Sequence, residues 1–307
     1  MNQLSYLSYL NVIFSLNQPK FCPVVSWQTN GSIIANSTMI GTVPIGMFID
    51  NNNTIYITDQ HDKPLRIYNE RDSKLKIINL TNFSPSNGIF ITNHGEIYLS
   101  SQTEHSQIVK WSKDLKTHVT VANIEGICYG LFVDIANNLY CSVSDNHQVI
   151  KRSLWDMNSL STIVAGNGSC GSTSNTLCRP SGIFVDTNFN LYVADTNNSR
   201  IQFFKQGKSD GETVVSKDTF KNILLNKPID IKVDSDGNLF ILDEKYQIFR
   251  FGSNELRCII GCSNGVNFEG QRYRVPYAMS FDSNGNIFVL NTNKSRIQKF
   301  LLTRNIC

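Results

Sequence analysis

A short apolar run recurs along this chain, and each time it is followed by polar residues that favour a turn. The clearest copy is the Ile-Phe-Val run at residues 183–185, which precedes Asp186, Asn188 and Asn190 and then a second apolar run at 191–194. Runs of this length between turn residues are typical of buried strands and too short for helices. Asp and Asn between the runs tolerate positive φ and favour a tight turn. The pattern therefore predicts pairs of antiparallel strands.

The repeat has a regular spacing. The small residue just before each first apolar run, or its replacement, recurs at steps of 42, 42, 52, 48 and 48 residues, and these positions are Gly46, Gly88, Gly130, Gly182, Asp230 and Ala278. A period in the forties with several short strands per repeat is typical of a β-propeller blade. Six copies predict six blades.

Each blade is expected to contain four strands, and the last blade needs one from elsewhere. A third strand follows the two apolar runs, as at residues 200–204, and fourth strands are predicted at 75–78, 117–122 and 161–166. The chain ends soon after residues 296–300, so blade six lacks a fourth strand. Residues 27–35 precede the first block without a blade of their own. We predict that they complete blade six, with Ile33 and Ile34 beside residues 297–300, so that 1–26 form an N-terminal segment and 27–307 one propeller.

The clearest copy also resembles a known family. Residues 180–186 and 190–202 read PSGIFVD and NLYVADTNNSRIQ, which resembles the NHL repeat, and residues 286–298 are similar. The resemblance covers residues 27 to 300 but weakens in blades two, three and five. In blade two Thr92 replaces the Asp that is usual in this repeat, and in blade five Asp230 replaces the usual Gly. It implies an all-β, six-bladed propeller of four-stranded antiparallel blades. It does not decide the function, because family members act as RNA binders, protein-binding modules, lyases and extracellular scaffolds.

Composition narrows the possible partners. The chain has 307 residues, 41% of them hydrophobic and 17% charged, with a net charge of +3. This balance gives no electrostatic reason to expect nucleic acid, so an RNA-binding propeller is only an alternative. No run of 18 apolar residues is present to span a membrane.

Eight cysteines suggest disulfides rather than a metal site. None lies in a Cys-x-x-Cys pair or beside a His with zinc-ligand spacing, so a role as a ubiquitin-ligase-related substrate adaptor rests on family resemblance alone. Cys170 and Cys178 bracket a polar loop and Cys258 and Cys262 a tight segment. Cys22 and Cys307 bracket the whole propeller. Three disulfides are predicted between these pairs.

The remaining two cysteines leave two alternatives open. Cys128 and Cys141 lie on consecutive strands of blade three, and a regular register would place Cys128 opposite Ser144. A bond would need a bulge or a shifted register, because the distance between bonded cysteines is narrowly defined. Otherwise both are buried thiols.

Paired cysteines favour an oxidising compartment and therefore an extracellular or secretory-pathway protein, whereas free cysteines would favour the cytoplasm. The N-terminus supports this only in part. Residues 4–16 are moderately apolar, but no Lys or Arg precedes them and no small-residue cleavage site follows. They are either a degraded signal or a surface segment.

The sequence offers little for catalysis. The inner strands contain no His, and their only acid is Asp230, two residues before Lys232. The peptide-amidating lyase that shares this repeat needs histidines at its channel metal, so its activity is not carried over. His61, His105 and His147 follow the second strands of blades one to three. Because they lie at least a blade apart, we expect no metal site and no cofactor.

Other charged groups are interpreted as structural. Asp195 with Arg200, and Asp59 with Arg66, join the end of a second strand to the start of the third. Residues 234–238 resemble the start of a calcium loop but lack the distal Glu, so a hairpin turn is predicted.

The favoured hypothesis is a non-enzymatic, monomeric propeller that binds a protein or glycan partner through the loops between second and third strands. The candidate contact residues are His61, His105, Asp145, His147, Asn197, Asn198, Tyr246 and Lys294. A channel-metal lyase or hydrolase is the main alternative.

Overall fold

A computed structural model describes residues 18–61, 64–80, 83–101, 106–156, 158–220, 225–262 and 276–307. These residues form six four-stranded antiparallel sheets and a two-stranded ribbon. The six-bladed architecture is confirmed.

The strands follow the repeat. Before the first inner strand lie β1 (Val24–Trp27), β2 (Ser32–Ala35) and the short helix α1 (Ser37–Ile40). Blades one to three contain β3 (Pro44–Ile49), β4 (Thr54–Asp59), β5 (Pro64–Asn69) and β6 (Lys74–Asn79); β7 (Pro85–Ile91), β8 (Ile97–Ser101), β9 (Gln107–Trp111) and β10 (His118–Asn123); β11 (Cys128–Val133), β12 (Asn138–Val143), β13 (Gln148–Ser153) and β14 (Thr162–Gly166). Blades four to six contain β15 (Pro180–Val185), β16 (Leu191–Asp195), β17 (Arg200–Phe204) and β18 (Glu212–Ser216); β19 (Pro228–Val233), β20 (Leu239–Asp243), β21 (Ile248–Gly252) and β22 (Glu255–Ile260); β23 (Pro276–Phe281), β24 (Ile287–Asn291) and β25 (Arg296–Phe300), followed by β26 (Leu302–Ile306).

Every inner strand begins with an irregularity that brings neighbouring blades together. In blade four the register shifts between Pro180 and Ile183, and Gly182 lies inside the shift. A Cβ atom on Gly182 would lie 2.6 Å from the Cα of Asp230 in the next blade. The repeated Gly is therefore needed for close approach of adjacent inner strands.

The inner strands pack their aromatic rings from blade to blade. Phe48, Phe90, Phe132 and Phe184 occupy equivalent positions in blades one to four, and successive ring centroids lie 5.3 Å apart. Tilted and edge-to-face contacts at this distance add to the stabilisation from apolar burial. The row ends there, because the equivalent residues in blades five and six are Lys232 and Ser280.

The N-terminal region closes the ring, as predicted. β2 pairs with β25, with Ile33 opposite Gln298. Residues 27–35 are nevertheless not one strand: β1 ends at Trp27, and Val24 of β1 lies opposite Ile306 of β26. Gly31, between β1 and β2, lies against the Phe300 ring, where a Cβ atom would come within 2.8 Å of it.

The packing also extends before residue 27. Phe21 and Cys22 are buried. The Trp27 indole donates a hydrogen bond to the Gly285 carbonyl at 2.8 Å. The described residues of the predicted N-terminal segment are thus part of the packed ring.

All eight cysteines are paired in four disulfides. Cys170–Cys178, Cys258–Cys262 and Cys22–Cys307 are bonded as predicted, with Cα atoms 4.4, 5.6 and 4.8 Å apart. Four disulfides favour an oxidising, extracellular environment.

The fourth bond resolves the open alternatives for blade three. A bulge between Cys128 and Leu131 places Cys128 opposite Val143. The predicted pairing with Ser144 is therefore wrong, and so is the alternative of two free thiols. With the shifted register, Cys128 and Cys141 are bonded with Cα atoms 5.5 Å apart.

Within the described ranges, no helix has the length and apolarity that crossing a membrane requires.

Candidate functional site

A cavity of about 300 Å³ opens at the end of the central channel where the inner strands begin. We call it the mouth cavity. Met47, Ile89, Leu131 and Ile183 form its apolar floor. Its rim is polar and includes Ser144, Thr196, Asn197 and Glu244, which follow the second strands of blades three, four and five. The mouth cavity therefore lies in the centre of the face formed by the loops between second and third strands, which we call the loop face.

Asp230 and Lys232 form an ion pair in the wall of this cavity. Lys232 Nζ lies 2.8 Å from Asp230 Oδ1. The same carboxylate accepts backbone N–H groups from Ile231 and, through Oδ2, from Met279 of blade six, both at 2.8 Å. Blades one to four have Gly at this position, which allows close approach of the next inner strand. In blade five, Asp230 instead forms a hydrogen bond to blade six. Both carboxylate oxygens have hydrogen-bond partners, and the carboxylate connects blades five and six.

Arg179 lies at the rim, directly before the inner strand of blade four. One guanidinium nitrogen lies 3.4 Å from Asp145 Oδ1, and the two side chains are 58% and 45% exposed. The Arg179 backbone N–H donates to His147 Nδ1 at 3.2 Å. The Asp145–His147 loop of blade three is thereby fixed against the start of blade four, with a cation left accessible at the mouth.

Glu244 provides an anion on the blade-five side. Its Oε1 accepts a hydrogen bond from the Asn226 amide at 2.7 Å, and its Oε2 lies 3.3 Å from Lys227 Nζ. The rim therefore presents both signs of charge, each held by a neighbouring group.

A second charged group, which we call the loop anchor, is buried behind the rim in blade four. Arg200 Nε lies 2.7 Å from Asp195 Oδ2. The other guanidinium nitrogens donate to the carbonyls of Ser172, Thr173 and Thr176 at 2.7 to 3.0 Å. All three carbonyls belong to the loop that Cys170–Cys178 closes.

The second oxygen of Asp195 is also occupied, since it accepts the Cys178 backbone N–H at 2.7 Å. Burial raises the pKa of Asp195, while the hydrogen bonds from Cys178, Asn198 and Arg200 oppose that rise. The Asp195–Arg200 pair fixes the loop between Cys170 and Cys178, in agreement with the structural role predicted from the sequence.

The predicted contact residues fall into two groups. Asp145, His147 and Asn197 lie at or beside the mouth cavity. Asn198 instead donates to the Gly171 carbonyl and to Asp195 within the loop anchor.

The predicted contact residues of the other blades that the structure describes do not line the mouth cavity. The Tyr246 hydroxyl donates to Asn291 Oδ1 at 3.0 Å, and burial raises its pKa to about 12. The His61 backbone N–H donates to Asp59 Oδ1 at 2.9 Å, which tightens that loop. Lys294 is exposed. His105 lies outside the described residues.

Sequence reasoning missed Arg179 and the cavity beside it. The available signal was position: Arg179 directly precedes Pro180, and the residues before an inner strand lie at the mouth of the channel.

The turn at residues 234–238 is a hairpin turn, as predicted. Asp234 Oδ1 accepts the backbone N–H groups of Asp236 and Asn238 at 3.0 and 2.8 Å. Asp186 makes the same contacts in blade four. Across the part of the chain that the structure describes, no three His, Cys, Asp or Glu side chains are grouped so that they could hold a metal ion.

Residues 177–204, which form the core of blade four, match the NHL repeat. No curated protein matches the sequence.

Solved propellers are similar in fold. A structural genomics protein of unknown function from Bacteroides thetaiotaomicron is 16% identical with a TM-score of 0.68, covering 94% of this chain and 74% of that one. Virginiamycin B lyase from Staphylococcus aureus is 14% identical with a TM-score of 0.59, covering 91% of this chain and all of that one. A chain of a nidogen/laminin complex is 14% identical with a TM-score of 0.55, covering 68% and 76%.

At these identities the likeness concerns the fold alone, and it includes both an enzyme and a protein–protein complex. The chain is a six-bladed β-propeller that carries an NHL repeat in its fourth blade.

Proposed function

We propose that this protein is a non-enzymatic, extracellular binding module that captures a protein or glycan partner on its loop face. One polar group of the partner enters the mouth cavity. The observation that carries the proposal is this cavity, whose volume of about 300 Å³ suits one or two side chains or a single sugar.

The rim is arranged for recognition before a partner arrives. The Arg179 guanidinium lies 3.4 Å from Asp145 Oδ1, and Glu244 is held by Asn226 and Lys227. Groups that are already ordered lose little conformational freedom on binding, which favours affinity. The rim contains both donors and acceptors, so we expect the inserted group to carry both kinds of polar atom.

A lyase or hydrolase acting in the channel is the second candidate function. The observation that favours it is the Asp230–Lys232 pair, an acid and a base 2.8 Å apart in the cavity wall. The fold that this chain shares with virginiamycin B lyase is compatible with an enzymatic role. Against it, the Asp230 oxygens face Met279, Ile231 and Lys232, where they are not available to a substrate.

Charge reversal at the rim tests the proposal. Arg179→Glu should weaken capture of the partner from native-source fluid by about 1–3 kcal/mol, since a few anchor residues dominate most interfaces. The matched control is Arg257→Glu: Arg257 is 64% exposed and paired with Glu255 at 2.6 Å, but it lies on the outer strand of blade five. Capture is measured with each immobilised variant at equal loading.

Asp230→Asn separates the two candidates. A binding module should capture its partner unchanged, because the substitution alters a contact between blades rather than the rim. If Asp230→Asn abolished the activity while Arg179→Glu left it intact, the site would lie in the channel and the enzymatic candidate would replace our proposal.

A further inference from the structure

Eight Asn-x-Ser/Thr sequons occur along the chain, and each is a potential acceptor of an N-linked glycan. The four disulfides favour the oxidising compartment in which such glycans are attached. A sequon alone decides nothing, because a chain rich in Asn, Ser and Thr contains several by chance. The fold adds which of them can carry a bulky glycan without losing a contact. The acceptor positions are Asn30, Asn36, Asn52, Asn79, Asn82, Asn167, Asn197 and Asn293.

Two of these sequons form self-contained turns on the surface. Asn36 and Thr38 are both exposed, and Asn36 Oδ1 accepts the Thr38 backbone N–H at 3.1 Å and the Thr38 hydroxyl at 2.6 Å. Asn167 and Ser169 are also exposed, and Asn167 Oδ1 accepts the Ser169 backbone N–H at 3.0 Å. Each side-chain oxygen is thus bound within its own sequon, as in an Asx-turn.

The nitrogen of each of these two side chains is left for modification. Because the amide is planar and its oxygen faces the turn, Nδ2, the atom that would bear the glycan, faces the other way. No described residue accepts a hydrogen bond from Nδ2 of Asn36 or Asn167. A sugar attached there would therefore displace no contact among the described residues.

Two other sequons are less suited to carrying a glycan. The Asn293 side chain is hydrogen-bonded to Tyr246, and the Ser295 hydroxyl is buried and donates to the Thr42 carbonyl at 2.7 Å. A glycan on Asn293 would break the contact with Tyr246. Asn197 lines the mouth cavity, which a glycan at that position would fill.

Asn36 and Asn167 occupy equivalent places on opposite sides of the ring. Asn36 directly follows β2, the outer strand of blade six, and Asn167 directly follows β14, the outer strand of blade three. Each outer strand leads to the next inner strand, which begins at the mouth, so both residues lie at the loop-face end of their blades. Inner strands contact one another in blade order and close from blade six to blade one, so blades three and six face each other across the channel.

We propose that Asn36 and Asn167 are N-glycosylated in the secretory pathway. The donor is an oligosaccharide carried on a lipid diphosphate. A C–N bond forms between Nδ2 and the anomeric carbon, while the bond from that carbon to the phosphate oxygen breaks. The lipid diphosphate leaves with the electron pair, and one amide proton passes to a base. The inference rests on the extracellular location proposed above and not on partner capture.

Glycans at these two positions would frame the mouth cavity without covering it. The outer strand of a blade is three strand spacings, about 14 Å, from the inner strand. A partner that reaches the mouth cavity would then approach over blades one, two, four and five, where these glycans do not stand.

Mass spectrometry of protein from its native source tests the assignment. An amidase that releases N-linked glycans converts each glycosylated Asn to Asp, and in heavy-oxygen water it labels that Asp. We expect the label at Asn36 and Asn167 and none at Asn293. Absence of label at Asn36 and Asn167 would overturn the proposal. A labelled Asn293 would also contradict it, because the contacts of the folded chain would then not select the sites.

Variants secreted from cultured animal cells provide a second readout. Thr38→Ala and Ser169→Ala should each increase gel mobility by one glycan, because each removes a sequon, and the double variant by two. Ser37→Ala is the matched control for the first site, since it changes the neighbouring exposed residue but keeps the sequon. Ser172→Ala, an exposed position outside any sequon, is the control for the second.

Equal mobility of wild type and the double variant would overturn the proposal. The state of Asn197 is a separate outcome in the same maps. A glycan on Asn197 would fill the mouth cavity and count against the proposed binding site, whereas the assignment of Asn36 and Asn167 would stand.

Discussion

The loop anchor of blade four and the rim of the mouth cavity each contain an arginine paired with an aspartate, yet they do different things. Arg200 is buried, 2.7 Å from Asp195, with its remaining donors spent on three carbonyls. Arg179 is exposed and lies 3.4 Å from Asp145. A buried charge must be fully paired or the fold loses stability, whereas an exposed pair contributes little and is available to a partner. Burial, rather than residue type, separates the structural pair from the candidate binding pair.

Blade five contains a natural variation of the loop anchor. Asp243 is buried like Asp195 and accepts the backbone N–H groups of Lys245 and Gln247, both at 2.9 Å. Gln247 precedes the third strand, where blade four has Arg200. Without a guanidinium partner, burial raises the pKa of Asp243 to about 7.

The largest effect is expected from Arg200→Met. It leaves the Asp195 carboxylate and three carbonyls without their donor, and breaking one side of a buried pair costs about 3–5 kcal/mol. Chemical unfolding followed by fluorescence measures the loss. Arg257→Met, which removes an exposed ion pair, should leave the unfolding free energy essentially unchanged. Equal losses in the two variants would contradict the distinction between buried and exposed pairs.

Asp243→Asn tests the unpaired anchor through pH. Because its folded pKa of about 7 lies above the ordinary value of 3.8, the contribution of Asp243 to stability is complete below pH 4 and is lost as the pH rises through 7. The unfolding free energy of wild type relative to Asp243→Asn should therefore fall by about 2–4 kcal/mol between pH 4 and pH 8. Unfolding curves at several pH values measure it. If the unfolding free energies of wild type and Asp243→Asn changed in parallel with pH, the pKa of Asp243 would not be raised by burial.

Gly182→Ala tests the close approach that shapes the wall of the mouth cavity. The new methyl group would meet the Asp230 backbone at 2.6 Å, where a main-chain atom cannot move aside cheaply. We expect a loss of about 1–3 kcal/mol in the unfolding free energy. Gly207→Ala is the control, because no atom lies within 4 Å of the new methyl group. The φ of Gly207 is 73°, so the only expected cost is that of placing Ala in a left-handed backbone conformation, about 1 kcal/mol. A Gly182 variant as stable as the Gly207 variant would show that the blades can separate slightly without loss.

Features that repeat in the sequence were predictable, and features that arise between blades were not. The recurring apolar runs and turn residues predicted six blades, and the lack of a fourth strand in the repeat of blade six predicted closure by β2. The Asp–Arg spacing in blade four predicted a structural pair. In contrast, the carbonyl acceptors of Arg200 lie 24 to 28 residues away in the disulfide loop, and no local pattern indicates them.

The mouth cavity also depends on contacts between blades, which the sequence alone did not indicate. The sequence showed Asp230 as the only acid of the inner strands, but its contact with Met279 of the next blade depends on how two inner strands meet. The bond between Cys128 and Cys141 depended on a bulge that alternation alone does not place. Arg179 was overlooked because its importance comes from its location at the channel mouth rather than from a motif.

The most direct measurement of the central claim determines stability and partner capture together for the two arginines of blade four. Arg200→Met should lower the unfolding free energy by about 3–5 kcal/mol while the folded protein captures its partner as wild type does. Arg179→Glu should change stability by less than about 1 kcal/mol and weaken capture by about 1–3 kcal/mol. If the folded Arg200 variant lost capture while the Arg179 variant kept it, the binding surface would not be the mouth cavity.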